Sequence, residues 1–221
     1  RSGLEQTQNA NLAGTANNQL VQRLIDMATG KRPTGASVVT TLDAAAQQAA
    51  AKALGDRPGA VVAIDYKTGA VKALVTSPTY DPNDLATHDL TAAQKSWEAL
   101  NADANKPLSN RATREIFPPG STFKLVVSAA ALASGMTPDT LVDSPDSLTL
   151  PGTSRPLGNS SSCGGTKISL EQALKVSCNT AFAGLGMQLG ADAVRTQAQK
   201  FGFGSGNELP DLGSATSNFP A

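Results

Sequence analysis

The sequence has one histidine, two cysteines and no surplus of either charge. With one imidazole at His88 and sulfur ligands only at Cys163 and Cys178, a protein-built zinc site is not expected, because such sites take four closely grouped nitrogen or sulfur ligands. Neither a metal nor a cofactor is expected. Lys plus Arg and Asp plus Glu number 18 each, so no global field would gather nucleic acid, anionic lipid or cationic substrates. Nucleic acid is therefore excluded from the expected partners. A long apolar run is also missing. The longest, residues 125–136, is interrupted by Ser128 and Ser134 and falls short of the ~20 residues that cross a bilayer. No signal peptide follows Arg1, and a start at arginine rather than methionine reads as that of a trimmed piece. No internal repeat is present.

What remains is a chain of 221 residues, enough for one domain or one and a fraction, with a real core. Charged residues make up 16%, and 20 glycines with 13 prolines give a loop-rich but globular profile. Residues 1–34 are polar, with Asn9, Asn11, Asn17 and Asn18, and hold one apolar group, Leu20, Val21, Leu24 and Ile25. They read as a linking segment with one short helix. Residues 37–42 are β-branched and predict a strand. Asp43 is an N-cap candidate for an alanine-rich helix that stops at Gly55. Residues 60–64 and 70–75 flank Asp65 to Gly69 and predict a hairpin with a glycine-bearing turn. Together these three strands predict one antiparallel sheet.

From 77 to 119 the chain is punctuated by Pro78, Pro82 and Pro107, with one helical patch near 91–100 around Trp97. Connections this long tend to be functional surfaces or disordered. After Pro118, Pro119 and Gly120, an apolar helix is predicted from Ser121 to about Ser134, stopped by Gly135. Residues 139–168 read as loop. Ser169 to Gln172 has the form of a capping box, opening a short helix that ends by Val176. Further helices are predicted over 180–189, ended by Gly190, and 192–200, before glycines at 202, 204 and 206.

Ser121 and Lys124 lie three apart at the head of the predicted helix, so their side chains share a face. Serine needs a base to act as a nucleophile near neutral pH, and an amine serves only when its pKa is lowered. A helix N-terminus supplies positive potential and N–H groups for an oxyanion. The spacing alone carries little information. With 19 serines and 10 lysines, about 0.9 Ser-x-x-Lys matches arise by chance. Ser-x-Asn is expected about once and occurs twice, at Ser177 to Asn179 and at Ser205 to Asn207. The second lies among glycines and reads as turn chemistry. In the first, Ser177 and Asn179 fall in a link between two helices that reads as extended, where side chains two apart share a side.

Context raises these matches above chance. The run Asn110-Arg111-Ala112 and then Phe117-Pro118-Pro119-Gly120-Ser121-Thr122-Phe123-Lys124 resembles the active-site segment of penicillin-binding protein transpeptidases. Ser177-Cys178-Asn179-Thr180-Ala181-Phe182 resembles the second motif of that family, and the likeness covers most of residues 36–221. Within it, the opening Arg1 to Glu5 looks like the tail of the noncatalytic pedestal of class B members, most of all the actinobacterial cell-division type.

The resemblance implies an α+β fold, an antiparallel sheet flanked by helices as in serine β-lactamases and penicillin-binding transpeptidases. Residues 1–35 would be a linker or pedestal remnant and 36–221 the N-terminal part of the transpeptidase domain. The family's third element, Lys-Thr/Ser-Gly, follows the second motif. Lys67-Thr68-Gly69 precedes the nucleophile and is rejected, so the third motif is expected beyond Ala221 and the chain is expected to be truncated before it.

By the same resemblance, the implied activity is D,D-transpeptidation forming peptidoglycan cross-links. Ser121 would attack a D-alanyl-D-alanine stem peptide, Lys124 would accept its proton, and Ser177 would relay a proton to the leaving group. Asn179 would bond the donor peptide or Lys124, and β-lactam antibiotics would acylate Ser121. The implied partners are stem peptides, β-lactams, the C-terminal remainder of the same chain, and division or elongation machinery. The implied location is the extracytoplasmic face of the cell membrane, held by an N-terminal helix absent from this sequence. Class A β-lactamase activity is disfavoured, since no Glu-x-x-x-Asn element follows the second motif.

Several alternatives stay open. The module could bind penicillin without catalysis, as a β-lactam sensor or division scaffold. Ser121 could be an ordinary helix cap, Lys124 a solvated lysine, and Ser177 with Asn179 polar punctuation between helices. Cys163 and Cys178 are either a disulfide, as is common in exported domains, or two thiols. Arg111 and Arg114 read as structural anchors, and His88 as an exposed loop residue.

Overall fold

A computed structural model describes residues 3–31, 35–205 and 212–219. The chain divides into two compact units, Arg1–Glu115 with Asn207–Ala215, and Ile116–Gly206 with Thr216–Ala221.

The first unit opens with more helix than its polar composition predicts: α1 Gly3–Thr7, α2 Asn9–Leu12, a 3-10 turn at Asn17–Gln19 and α3 Leu20–Ala28. Local side-chain bonds substitute for an apolar face. The Asn11 amide donates to Gln8 Oε1 at 2.7 Å, and Gln22 donates to the buried Asp26 at 2.9 Å. The apolar group on α3, by contrast, is exposed at Leu20, Val21, Leu24 and Ile25. α4 Ala44–Leu54 is bounded as predicted. The Asp43 carboxylate accepts from the Ala46 N–H at 2.9 Å, and Gly55 ends the helix with φ 57°.

β1 Gly59–Ile64 and β2 Val71–Ser77 pair antiparallel, Gly59 opposite Ser77 and Ala63 opposite Ala73. The turn is tied by the Asp65 carboxylate accepting from Lys67 N–H and by Gly69 at φ 73°. The third predicted strand, 37–42, is not one. The outward-facing backbone of β2 is taken by other groups: the Thr41 hydroxyl donates to Val71 O, Asp43 N–H to Lys72 O, and the Gln47 amide both donates to and accepts from Leu74. A side-chain amide thus occupies the ladder position that a strand would need.

Beyond a short 3-10 turn at Pro82–Asp84, α5 Leu90–Ala102 is capped by Asp89, which accepts from Thr91 and Ala92 N–H. α6 Arg111–Arg114 follows. Arg111 is an anchor, as expected: its buried guanidinium donates to Lys106 O at 3.2 Å and to Asn105 O, and meets Glu115 at 3.3 Å. His88 is exposed.

The second unit contains a 3-10 turn, Gly120–Thr122, then α7 Phe123–Ala133. Residues 139–168, predicted as loop, hold four three-residue strands: β3 Leu141–Asp143 pairs with β6 Lys167–Ser169, and β4 Ser147–Thr149 with β5 Pro156–Gly158. Strands this short show no period in sequence. α8 Leu170–Lys175 is capped by Ser169, whose hydroxyl accepts from Gln172 N–H at 3.1 Å. α9 Asn179–Leu189 and α10 Ala191–Lys200 complete the unit. Val127, Ala131, Ile168, Leu170, Phe182 and Leu185 belong to one buried cluster, against which Phe123 and Phe219 pack. Ser205 donates to Gly202 O at 2.6 Å, in keeping with a turn, while Gly206 and Asn207 lie outside the described residues. The fold is mixed helix and antiparallel sheet, as expected.

Candidate active site

Ser121 stands on the 3-10 turn that leads into α7 rather than inside the helix. Gly120 before it has φ 56°, a conformation that L side chains adopt only at a cost. Glycine therefore lets the chain turn sharply after Pro118 and Pro119 and leaves Ser121 exposed. Ser121 is not the cap: Thr122 holds that position, and it makes no side-chain capping bond. One turn on, Lys124 is buried at 9% exposure, with Nζ 3.3 Å from Ser121 Oγ. It is not a solvated lysine.

The second motif meets the same amine. Lys124 Nζ lies 2.7 Å from Ser177 O, 2.8 Å from Ser177 Oγ and 2.6 Å from Asn179 Oδ1. Ser177 Oγ is 3.1 Å from Ser121 Oγ. The link between α8 and α9 is not extended, contrary to expectation. Ser177 has φ 56°, and Asn179 is already the first residue of α9. A left-handed non-glycine residue costs about 1–3 kcal/mol and persists only where its surroundings hold it. Here it reverses the chain so that Ser177 and Asn179 converge on Lys124.

The donors and acceptors around the amine fix what it can do. Ser177 O and Asn179 Oδ1 accept only, whereas the two serine hydroxyls accept or donate. A neutral amine has two N–H groups for the two carbonyl oxygens and one lone pair left for a serine proton. Burial lowers the Lys124 pKa from its ordinary value, toward that neutral form. Among the described residues no carboxylate pairs with it to oppose the shift. The Phe182 ring lies 5.9 Å from Nζ and adds to the apolar side of the site.

The Asn179 amide has one satisfying orientation, because its Nδ2 donates to Gly158 O at 3.1 Å while Oδ1 faces Lys124. Gly158 and its neighbour Asn159 lie about twenty positions upstream in a serine- and glycine-rich stretch, and no sequence signal pointed to them. Cys178 is 1% exposed and bonded to Cys163, which ties the middle of the second motif to the loop before β6. Lys67-Thr68-Gly69 lies in the turn between β1 and β2, in the other unit from Ser121. No group of three His, Cys, Asp or Glu poised to hold a metal occurs among the described residues.

Comparison with known proteins agrees with this geometry. The chain is 44% identical over 209 residues to the peptidoglycan D,D-transpeptidase PbpA of Mycolicibacterium smegmatis, covering 91% of this chain and 43% of the relative. It is 41% identical over 212 residues to the protein of the same name from Mycobacterium tuberculosis, with 92% and 43% covered. The chain thus spans less than half the length of these curated relatives. The structure of M. tuberculosis penicillin-binding protein A as a penicillin G acyl-enzyme complex superposes with a TM-score of 0.90 at 39% identity, over 98% of this chain and 52% of that one. The penicillin binding protein A dimerisation domain profile matches residues 1–38. The penicillin binding protein transpeptidase domain profile matches residues 59–219, most of the chain, which therefore belongs to the penicillin-binding protein transpeptidase family.

Proposed function

We propose that this chain carries the acylation centre of a peptidoglycan D,D-transpeptidase. The observation that carries the reading is the buried Lys124 amine, 3.3 Å from Ser121 Oγ, with both its N–H groups matched to carbonyl oxygens of the second motif. Ser121 Oγ attacks the penultimate D-alanine carbonyl of a stem peptide as its proton passes to Lys124. The peptide bond breaks, and the leaving D-alanine nitrogen takes a proton through Ser177, whose hydroxyl touches both Lys124 and Ser121. An ester to Ser121 remains. The amine of a second stem peptide attacks that ester and loses its proton along the same route. The new amide is the cross-link, and Ser121 is regenerated. A β-lactam enters the first step only: its ring amide opens on Ser121, and the leaving nitrogen stays attached to the acyl group.

The naming of the relatives as D,D-transpeptidases and the acyl-enzyme structures of the M. tuberculosis protein support this reading. The match to a dimerisation domain supports assigning residues 1–35 to a noncatalytic pedestal, with the rest belonging to the transpeptidase domain. Among the described residues no helix is long and apolar enough to cross a membrane. The disulfide fits an oxidising, extracytoplasmic setting, and a membrane anchor elsewhere in the protein would place the site at its peptidoglycan substrate. Division or elongation machinery is the proposed partner, as expected for an enzyme that cross-links new wall.

The test is peptide-level mass spectrometry of the intact protein after incubation with penicillin, with turnover of a D-alanyl-D-alanine thioester measured in parallel. The expected results are an adduct on the peptide carrying Ser121, its loss in Ser121→Ala, and thioester turnover. Absence of the adduct in the wild type overturns the proposal. An adduct without turnover replaces it with a sensor or scaffold.

A further inference from the structure

Asn159 touches neither Ser121 nor Lys124, yet it is held more closely than a loop residue needs to be. Its Nδ2 donates to Thr180 Oγ1 at 3.0 Å and to Pro145 O at 3.3 Å, and its Oδ1 accepts from Thr180 N–H at 3.1 Å. Thr180 is completely buried. The Cys178 sulfur lies 3.6 Å from Oδ1, but bonded to Cys163 it carries no proton, so this is packing rather than a hydrogen bond. One residue earlier, Gly158 O accepts from the Asn179 amide. Two consecutive residues at the end of β5 thus grip two consecutive residues at the head of α9.

The link on the other side of this grip is the left-handed Ser177. Its own N–H goes back to Leu174 O, and that of Cys178 to Ala173 O, so α8 holds the near end of the link. The far end is held by Gly158 and Asn159. We infer that Asn159 is a positioning residue for acylation: by pinning Thr180 it sets where Asn179 Oδ1 and Ser177 meet the Lys124 amine.

Asn179 Oδ1 takes one of the two N–H groups that the neutral amine can give, leaving the lone pair toward the serine hydroxyls. If the head of α9 shifts, that acceptor moves, and the amine can turn its lone pair away from Ser121. A displacement near 1 Å at a reacting pair is worth on the order of 10²-fold in rate. A substrate or β-lactam still finds the same exposed Ser121, so the loss falls on the chemical step rather than on binding.

The inference rests on the proposed acylation at Ser121, and the experiment separates the two. In the intact protein, penicillin acylation is resolved into a noncovalent binding constant and a first-order acylation rate for wild type, Asn159→Ala, Thr180→Val and Thr180→Ser. Thermal midpoints and disulfide content are measured on the same samples. The expected result is an acylation rate lower by about 10²-fold in Asn159→Ala and Thr180→Val, with the binding constant unchanged. Thr180→Ser, which keeps both the N–H and the hydroxyl, should acylate at the wild-type rate even though it loses a buried methyl group. A wild-type rate in Asn159→Ala overturns the inference. So does a slowing confined to the binding constant, or one that follows thermal midpoint equally in Thr180→Ser. A wild type that is not acylated overturns the functional reading itself and takes this inference with it.

Discussion

The two units of the chain are held together by different means. In the unit containing Ser121, Val127, Ala131, Ile168, Leu170, Ala173, Phe182, Leu185 and Val194 are all buried in one cluster. In the other, of the alanine, valine, leucine and isoleucine side chains, only Ala73 and Val75 are buried among the described residues, while Val39, Val62 and Ile64 are exposed. That unit relies on polar anchors instead: Gln47 on the edge of β2, Arg111 on two carbonyls, and Asp43, Asp65 and Asp89 on free N–H groups. A hydrophobic cluster is non-directional and sums over many contacts, whereas each polar anchor is a single bond of modest net value. A site that must hold four polar groups within hydrogen-bond distance is accordingly found in the unit with the packed core.

The largest expected effect tests that contrast directly. Phe182→Ala should cost about 3–5 kcal/mol in urea unfolding, because it empties a volume lined by the central cluster. Val62→Ala, at a side chain already 44% exposed, should fall within about 0.5 kcal/mol. Comparable losses at the two positions would end the distinction between a packed unit and an anchored one.

Next in size is the disulfide. Cys163 and Cys178 close a loop of 15 residues, for which chain entropy predicts about 3 kcal/mol of stabilisation. Replacing both by alanine should lower the denaturation midpoint by that measure and leave the hairpin of the other unit protected in hydrogen exchange. Equal loss of protection across both units would show that they unfold as one.

Arg111→Ala should cost about 1.5–3 kcal/mol, the range for hydrogen bonds to a charged group, and the loss should appear in the first unit. A smaller value would mean that the loop over 103–110 is held by Lys106, at φ 51°, and its own turn bonds.

The same division explains what could be read from the sequence. α4, α9 and α10 were legible because caps and glycine stops punctuate them, Asp43 with Gly55 at one and Gly190 between the others. The hairpin was legible through Asp65 and Gly69. The strand predicted at 37–42 was not formed, because β-branched composition does not reveal that Gln47 would occupy its bonding edge. β3 to β6 were hidden by their length, and the left-handed turn at Ser177 by the absence of glycine there. Ser121, Lys124, Ser177 and Asn179 were legible from motif context. Gly158 and Asn159 were not, since a carbonyl and an amide in a serine-rich loop leave no pattern.

The smallest expected effect on stability concerns pH, and among the described residues each unit has one group with a shifted pKa. Asp65 is held below its ordinary pKa chiefly by the Lys67 N–H. A depressed carboxylate stabilises the fold above its unfolded value of 3.8, and that contribution disappears as the pH falls through the folded value. Lys124 is lowered by burial, so the unfolded chain holds a proton that the folded one gives up. Stability from this group therefore rises with pH between its folded value and 10.5, and is lost as the pH falls through that window. Of these two groups only Lys124 touches Ser121, so only it should shape the acylation profile. The rate at Ser121 should climb with pH to a midpoint below the ordinary lysine range, and Lys124→Arg, which cannot give up its proton, should abolish acylation. Asp65→Asn should shift the acid limb of unfolding slightly and leave the acylation profile in place. A displaced profile in Asp65→Asn would mean that the hairpin turn communicates with the nucleophile, and the two units could then no longer be treated separately.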